Sequence, residues 1–202
     1  MPEFKNIKNI KPLTKGHRGL IYTGIYKNKK VTIKTKNPSS KAIGRIQNEV
    51  FWLKKLNKKS IGPKLLFSNK NYFVYQFIPG VFFPEFVQKS KKPEIKKALK
   101  DLFMQCHTMD KLKVDKEEMH HPFKHIIMKA KKPIMVDFER CHTTNKPKNT
   151  TQFCQYIMSS KLAPLLKKRG FNINRKEIIK LARHYKQKQA KKRLNLILKA
   201  VN

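Results

Sequence analysis

Apolar and polar residues alternate along the first 80 residues in two pairs of short segments. The segment LIYTGIYKNKKVTIKTK predicts strands at 20–26 and 31–36, with a turn at Lys27-Asn28-Lys29-Lys30. The segments KLLFS and YFVYQFI predict two more strands, which the turn signal Asn69-Lys70-Asn71 joins. Between the two pairs, apolar residues at helical spacing predict a helix with Ser39 or Ser40 as its N-cap. These apolar positions are Ile43, Ile46, Val50, Leu53 and Leu56.

Helical patterns dominate from Pro84 onward. One helix is expected near 94–108. Two short strands, near 124–128 and 133–137, interrupt the helices. The stretch 174–202 combines an apolar stripe with a basic face, which predicts one amphipathic helix or two.

The order of these elements predicts the fold class. A further helix is expected with Asn149 as its cap, because Asn149 and Gln152, three residues later, form a variant of the capping box. Strands followed by helices indicate an α+β fold. We therefore expect a small β-rich lobe at 1–80 and a helical lobe at 81–202.

The charge is the outlier of the composition. The chain has 48 Lys and Arg against 12 Asp and Glu, for a net charge of +36. So many positive charges repel one another unless an anionic partner or counter-ions offset them. Nucleic acid, nucleotide and acidic lipid are the candidate anionic partners. Biased codon usage is the alternative source of the lysine excess.

Cysteine usage and hydropathy bear on the location of the protein. Cys106, Cys141 and Cys154 form no C-x-x-C pair, which argues against a disulfide framework and against a zinc ribbon. The N-terminal MPEFKNIKNI has no apolar signal core, and no run of about 18 apolar residues is present to span a bilayer. We therefore expect a reduced, cytoplasmic protein without a membrane span.

Lys34 raises the first question of chemistry. It lies in the apolar strand VTIKTK, where alternation directs Val31 and Ile33 to one face and Lys34 to the other. A solvated lysine is one interpretation, and a lysine that binds phosphate is the other.

A glycine-containing loop precedes that strand. The segment TKGHRGLI places Thr14, Gly16, Gly19 and Ile21 at the spacing of the nucleotide-covering G-x-G-x-x-G-x-V loop, with Thr in place of the first glycine. Glycine lets the backbone approach phosphate oxygens and offer its N–H groups. A plain β-turn is the alternative interpretation.

The strand and the helix that follow it supply a second motif. The sequence VTIK at 31–34 corresponds to V-A-I-K, whose lysine pairs with nucleotide phosphates and with a helix glutamate. The predicted helix contains one acidic residue, Glu49, beside its apolar stripe, so Glu49 can face the sheet and hold Lys34. A surface salt bridge is the alternative for Glu49.

A carboxylate ends the last predicted strand. PIMVDFER gives Asp137-Phe138-Glu139, where Asp137 can bind Mg²⁺ or cap a turn. With these motifs in this order, the chain resembles the small archaeal-type atypical Ser/Thr protein kinases of the protein-kinase-like fold. That group is related to the RIO, KEOPS-complex and lipopolysaccharide kinases. The resemblance covers about residues 14–153, and Glu139 replaces the glycine of the family's Asp-Phe-Gly element.

The resemblance implies an ATP- and Mg²⁺-dependent phosphotransferase that acts on a Ser/Thr hydroxyl of a protein substrate. In this picture Glu49 orients Lys34, and Asp137 binds Mg²⁺. The segment YFVYQFIPG corresponds to the strand that leads into the adenine-binding hinge. The implied nucleotide contacts are Gly16, Gly19 and Lys34 at the phosphates, and Gln76 and Phe77 at the adenine.

The family's catalytic loop, H-G-D-L-x-x-x-N, has no match. With His125 in the place of its Asn, counting back five residues reaches His120 instead of Asp. Glu118 is the favoured candidate for the catalytic base, and Asp115 or no base at all are the alternatives. Lys124 or His125 would replace the second metal ligand.

Two further functions stay open. One is a pseudokinase or ATPase-like nucleotide-binding module. The other is a nucleic-acid-associated protein, for example one that binds tRNA, in which the basic stripe at 186–193 contacts phosphates. Membrane attachment ranks below it because the tail has no Trp or Phe anchors. A metal cluster of Cys106, His107, His120 and His121 is disfavoured because no second Cys/His pair lies at ligand spacing.

Overall fold

The structure, a computed structural model, describes residues 4–16, 19–41 and 43–201. The fold is α+β, as the order of predicted elements indicated. The chain divides into two compact units. The first contains the described residues up to Pro79 together with Asp137–Arg140, and the second contains Gly80–Val136 and the described residues from Cys141 onward. The sequence-based division at residue 80 had assigned Asp137–Arg140 to the helical lobe.

The first unit is built on a five-stranded antiparallel sheet with the order β1-β2-β3-β5-β4. Its helix, α1, lies between β3 and β4 in the chain. The elements are β1 (Lys8–Lys15), β2 (Gly19–Tyr26), β3 (Lys29–Lys36), α1 (Arg45–Asn57), β4 (Leu65–Ser68) and β5 (Tyr72–Gln76).

The hairpin between β2 and β3 is tighter than the sequence indicated. Tyr26 pairs with Lys29, so the loop contains only Lys27 and Asn28. Both loop residues have positive φ, 48° and 58°, which is the geometry of the two-residue turn that follows the twist of an antiparallel pair. Strand β1 was not predicted. Its mostly exposed residues show no buried alternation that would reveal it.

Strand β3 is buried on both faces. On one face Val31 and Ile33 join Phe4, Tyr72 and Val74 in an apolar cluster with Ile7. On the other face Lys34 hydrogen-bonds to Glu49 of α1, so the helix covers that side of the sheet. The alternation predicted for VTIKTK is therefore present, and Lys34 is 6% exposed. The interpretation of Lys34 as a solvated lysine is wrong.

The start of α1 corrects a prediction. Gly44, with φ of 70°, occupies the N-cap position, and Ile43 is 89% exposed. Ser39 and Ser40 lie before the helix in a turn, where their N–H groups donate to the side chain and the carbonyl of Asn37. The serines are thus engaged by Asn37 and do not cap the helix.

The second unit is mainly helical. Its sheets are a three-stranded one with the order β6-β8-β9 and the pair β10-β7. The strands are β6 (Val81–Phe82), β7 (Val114–Asp115), β8 (Ile126–Lys129), β9 (Lys132–Met135) and β10 (His142–Thr143). The helices are α2 (Phe83–Lys89), α3 (Lys92–Lys111), α4 (Asn149–Ile157), α5 (Ala163–Lys168), α6 (Arg175–Gln187) and α7 (Lys191–Ala200).

A buried polar network ties α3, α4 and α6 together. The Asp110 carboxylate accepts hydrogen bonds from the Asn149 N–H and side chain, the Thr150 N–H and the Tyr185 hydroxyl. Burial raises the pKa of Asp110, and these donors oppose the rise. Asn149 is the first residue of α4 and Lys148 occupies the cap position, so the predicted capping by Asn149 is wrong. Its side chain serves the network instead.

The C-terminal stretch forms two helices, α6 and α7, in agreement with one of the two predicted forms. The Asn174 side chain caps α6 by accepting from the Glu177 N–H. Ile178 and Tyr185 of α6, and Leu194 and Ile197 of α7, are buried. Within the described part of the chain, no helix is both long and apolar enough to cross a membrane.

Candidate functional site

The central feature of the first unit is a lysine surrounded by three carboxylates. The Lys34 ammonium lies 2.6 Å from Glu49 Oε2, 3.0 Å from Asp137 Oδ1 and 3.4 Å from Glu139 Oε2. Lys34, Glu49 and Glu139 are buried, whereas the Asp137 side chain keeps 34% exposure. The cluster therefore opens to solvent on the side of Asp137.

Glu49 connects three parts of the unit. While Oε2 accepts from Lys34 of β3, Oε1 accepts from the Phe138 N–H at 3.0 Å. One carboxylate of α1 thus holds both the lysine strand and the segment Asp137–Arg140. The interpretation of Glu49 as a surface salt-bridge partner is wrong.

One face of α1 contacts the segment around Phe138. Asn48 Nδ2 and Arg45 Nη1 both donate to the Glu139 carbonyl, at 2.9 and 3.3 Å. Trp52 Nε1 donates to the Asn48 side-chain oxygen. Residues 45, 48, 49 and 52 share a helix face by their spacing, so the helix register places all of these contacts together.

The backbone at Asp137 is in a rarely occupied conformation. Its φ is 64°, in the left-handed region, which an aspartate tolerates better than most residues. Phe138 packs against Gly62, where a Cβ would lie 3.0 Å from the ring and where φ is 83°. Such backbone outliers cost free energy and are concentrated at functional sites.

Burial and charge act in opposite directions on Lys34. Burial by itself would lower the pKa of the ammonium, but Glu49, Asp137 and Glu139 raise it above its ordinary value. The surrounding carboxylates therefore favour the charged form of Lys34. Burial raises the pKa of Glu49, and Lys34 opposes that rise. The cluster contains three carboxyl groups and one ammonium, so its acidic groups outnumber its basic one.

One glycine of the predicted loop, Gly19, lies beside the lysine. A Cβ on Gly19 would sit 3.1 Å from Lys34 Cε and 3.2 Å from the Thr35 carbonyl oxygen, so a side chain there would press on the lysine. Gly16 closes the turn by donating to the Gly19 carbonyl, and Asn37 Nδ2 holds the Gly16 carbonyl. His17 and Arg18, which stand between the two glycines in the sequence, lie outside the described residues.

The carboxylates fit a hard divalent cation. Among the described residues, Glu49, Asp137 and Glu139 can bring one ligand oxygen each to within 4.8 Å of one another. Mg²⁺ prefers carboxylate oxygens of this kind. Cys106, His107, His120 and His121 form no comparable set in the part of the chain that the structure describes. His107 Nδ1 instead contacts the Tyr185 hydroxyl, and Cys106 is buried in the helical unit.

The proposed adenine contacts lie at the end of β5. The Gln76 N–H donates to the Lys64 carbonyl, and the Phe77 N–H makes a longer bond, 3.4 Å, to the Lys30 carbonyl. The Lys30 ammonium lies 4.1 Å from the centre of the Phe77 ring. An adenine held here by these N–H groups would replace bonds that the unit already makes.

A surface groove of about 670 Å³ follows β1, β2 and residues 37–39. Lys34, Glu49 and Asp137 are not among the described residues that line it. The candidate site is therefore defined by the charge cluster and not by this groove.

The predicted catalytic-loop residues belong to the second unit. Glu118 follows β7 with φ of 55° and is half-buried, and its carbonyl accepts from the His121 N–H. Asp115 is fully buried, and its Oδ1 accepts from the Glu117 N–H. The His125 carbonyl accepts from the Val136 N–H beside the β8–β9 hairpin. The roles of Glu118 as base and of His125 as metal ligand stay predictions.

Several polar residues of the site were not predicted from the sequence, among them Arg45, which donates to the Glu139 carbonyl. Glu139 was recognised only as a departure from a motif, yet its carboxylate reaches Lys34. Asn48 holds the Glu139 carbonyl, and Asn37 holds the loop glycine. The rarity of acidic residues in this chain was an available signal for Glu139, whereas nothing in the pattern distinguished either asparagine from the other polar residues.

Comparisons with known proteins do not extend this description. No family model matches the sequence, and no curated protein matches it significantly.

Replacing Glu49 by Gln tests the role of its two oxygens. A Gln side chain offers one acceptor and two donors, whereas Lys34 and the Phe138 N–H both require acceptors. We expect Glu49→Gln to lower the free energy of unfolding by about 2–4 kcal/mol. Urea unfolding followed by the fluorescence of Trp52, the single tryptophan and a residue of the same helix, measures it.

The matched control is Lys54→Gln, which removes a charge from the exposed side of α1. It should change the free energy of unfolding by less than about 1 kcal/mol. Equal effects of the two substitutions would contradict the assigned role of Glu49.

Proposed function

We propose that the protein is an ATP- and Mg²⁺-dependent phosphotransferase of the protein-kinase-like fold, with a Ser/Thr hydroxyl of a protein as acceptor. The observation that carries the proposal is the meeting of Lys34 with Glu49 and Asp137 at 2.6 and 3.0 Å. These residues come from a strand, a helix and a distant segment of the chain. Glu49 lies 15 positions and Asp137 lies 103 positions after Lys34 in the sequence.

In the proposed mechanism, Lys34 binds the phosphates. Its ammonium donates to phosphate oxygens, and Glu49 keeps it directed towards them. Gly19 has no side chain to press on Lys34, and Gly16, hydrogen-bonded to the Gly19 carbonyl, likewise leaves its backbone uncovered, so both glycines could offer their backbone to the same phosphates. The 3.0 Å contact of Lys34 with Asp137 is then exchanged, at least in part, for a contact with phosphate.

The carboxylates provide the place for the metal. Asp137, the most accessible of the three, and Glu139 would hold Mg²⁺. When bound, Mg²⁺ neutralises phosphate charge and stabilises the charge that develops during transfer. Glu139 would supply a carboxylate that the family's Asp-Phe-Gly element does not contain.

A second candidate function is a nucleotide-binding module without phosphoryl transfer. The end of β7 favours it, because Asp115, the last residue of that strand, is fully buried and already accepts a backbone hydrogen bond. Glu118 is the remaining candidate base from the sequence, and the two functions differ in whether its carboxylate is needed for a chemical step.

Substitution of Lys34 tests nucleotide binding. We expect Lys34→Met to weaken binding of a fluorescent ATP analogue with Mg²⁺ by about 10- to 100-fold, because a charge-assisted hydrogen bond to phosphate is lost. Lys34→Arg keeps the buried positive charge, so this variant should stay folded even if Lys34→Met does not. The different shape of the guanidinium should still weaken binding of the analogue at least about fivefold. Titration followed by fluorescence measures both variants.

Lys36→Met is the matched control, because Lys36 lies on the same strand and points to the same side but is exposed. Its affinity should stay within about twofold of the wild type. If the folded Lys34 variants bound the analogue as tightly as Lys36→Met does, the phosphate-binding role would be wrong.

Substitution of Glu118 tests the chemical step. If Glu118 is the general base, Glu118→Gln lowers the rate of phosphoryl transfer from γ-labelled ATP by about 100-fold or more, with nucleotide affinity unchanged. The neighbouring Glu117→Gln is the control and should retain most of the rate. No transfer by the wild type, despite tight binding of ATP, would support the binding module instead.

A further inference from the structure

The acidic residues of the chain are unevenly distributed. After Glu139 the sequence contains a single acidic residue, Glu177, although Lys and Arg continue to the C-terminus. The last third of the chain, from α4 through α7, therefore carries nearly uncompensated positive charge. Such a concentration costs stability by self-repulsion unless an anion offsets it.

Part of this charge lines a groove in the second unit. A cavity of about 680 Å³ lies between α4, the turn that follows it and α6. Its floor contains the buried Cys154 together with the half-buried Ile179 and Ala182. No carboxylate is among the described residues of its lining.

The two walls of the groove differ in chemistry. On α6, Arg175, Arg183 and Lys186 are exposed and lie eight and three residues apart, which is roughly 12 Å and 4.5 Å along the helix axis. Arg175 is held in place because its Nη1 donates to the Met158 carbonyl at 3.2 Å. The opposite wall is polar and uncharged, with the side chains of Thr151, Gln155, Ser159 and Ser160.

We propose that this groove between α4 and α6 binds the phosphodiester backbone of a single-stranded nucleic acid. The row of cations provides repeated phosphate contacts, the polar wall provides hydrogen bonds, and the apolar floor can receive sugar and base faces. The positive charge continues beyond the groove at Lys188, Lys191 and Lys192, which suits a long polyanion better than an isolated phosphate.

The shape of the site also bears on the class of partner. A flat anionic membrane would contact the exposed cations but not the buried floor. An acidic peptide lacks a regular phosphate repeat along its backbone. The proposal is independent of the phosphotransferase function, because no residue of the Lys34 cluster takes part in it.

A pair of charge-matched double variants tests the proposal. Arg183→Gln with Lys186→Gln removes two charges from the groove, and Lys58→Gln with Lys59→Gln removes two exposed charges at the end of α1. The probe is a fluorescein-labelled oligouridylate of about 12 nucleotides, with binding followed by fluorescence anisotropy. Circular dichroism establishes that both variants are folded.

We expect the groove variant to bind about tenfold more weakly at about 0.1 M salt, and its slope of log affinity against log salt to fall by about 1.4 for two lost contacts. The α1 variant should stay within about twofold of the wild type. Equal weakening by both pairs would mean that only the overall charge matters and would overturn the proposal. So would a wild type that does not bind the probe.

Competition experiments distinguish the other anionic partners. Unlabelled oligouridylate should displace the probe at a much lower concentration of negative charge than poly-glutamate or vesicles with anionic lipid. If poly-glutamate or the vesicles displaced it as effectively at equal charge, the assignment to nucleic acid would be wrong.

Discussion

The two oxygens of the Glu49 carboxylate connect the strand of Lys34 to the segment that contains Asp137 and Glu139. One accepts from Lys34 on the central strand, and the other accepts from the backbone of Phe138. Because both bonds are buried, neither can be exchanged for water without a large penalty. The positions of the strand, of α1 and of the Asp137–Arg140 segment are therefore coupled. A lysine in the middle of an apolar strand is tolerated because this arrangement surrounds it with carboxylates.

The same cluster brings several of the few acidic residues of this basic protein to one place. The first unit has few acidic residues, and three of them, Glu49, Asp137 and Glu139, meet at Lys34. Charges elsewhere on the surface are screened by salt, whereas Glu49 and Glu139 are buried beside Lys34 and interact strongly with it. The proposed binding of a divalent cation depends on this excess of carboxyl groups over ammonium groups. The groove of the second unit has the opposite character, because Arg175, Arg183 and Lys186 line it and no carboxylate is among its described lining residues.

The faces of Lys34 and Glu49 could be predicted because strand alternation and helical spacing are both local patterns in the sequence. Period-two alternation fixed the face of Lys34, and helical spacing placed Glu49 beside the apolar stripe. The start of α1 could not be predicted, because the serines that resemble caps are held in a turn by Asn37. Contacts made by Asn37 and by Asn48 depend on backbone carbonyls brought close only by the fold. The contact of Glu139 with Lys34 joins residues 105 positions apart, so no local pattern could predict it.

The most direct test of this account observes the Lys34 ammonium itself. In protein labelled with ¹⁵N-lysine, a buried ammonium held by carboxylates exchanges its protons slowly enough for NMR, and its loss in Lys34→Arg assigns the signal. Addition of a non-hydrolysable ATP analogue with Mg²⁺ should shift this resonance in proportion to the fraction of protein bound. A Lys34 signal that stays unchanged at saturating analogue would contradict the central claim that this cluster is a nucleotide and metal site.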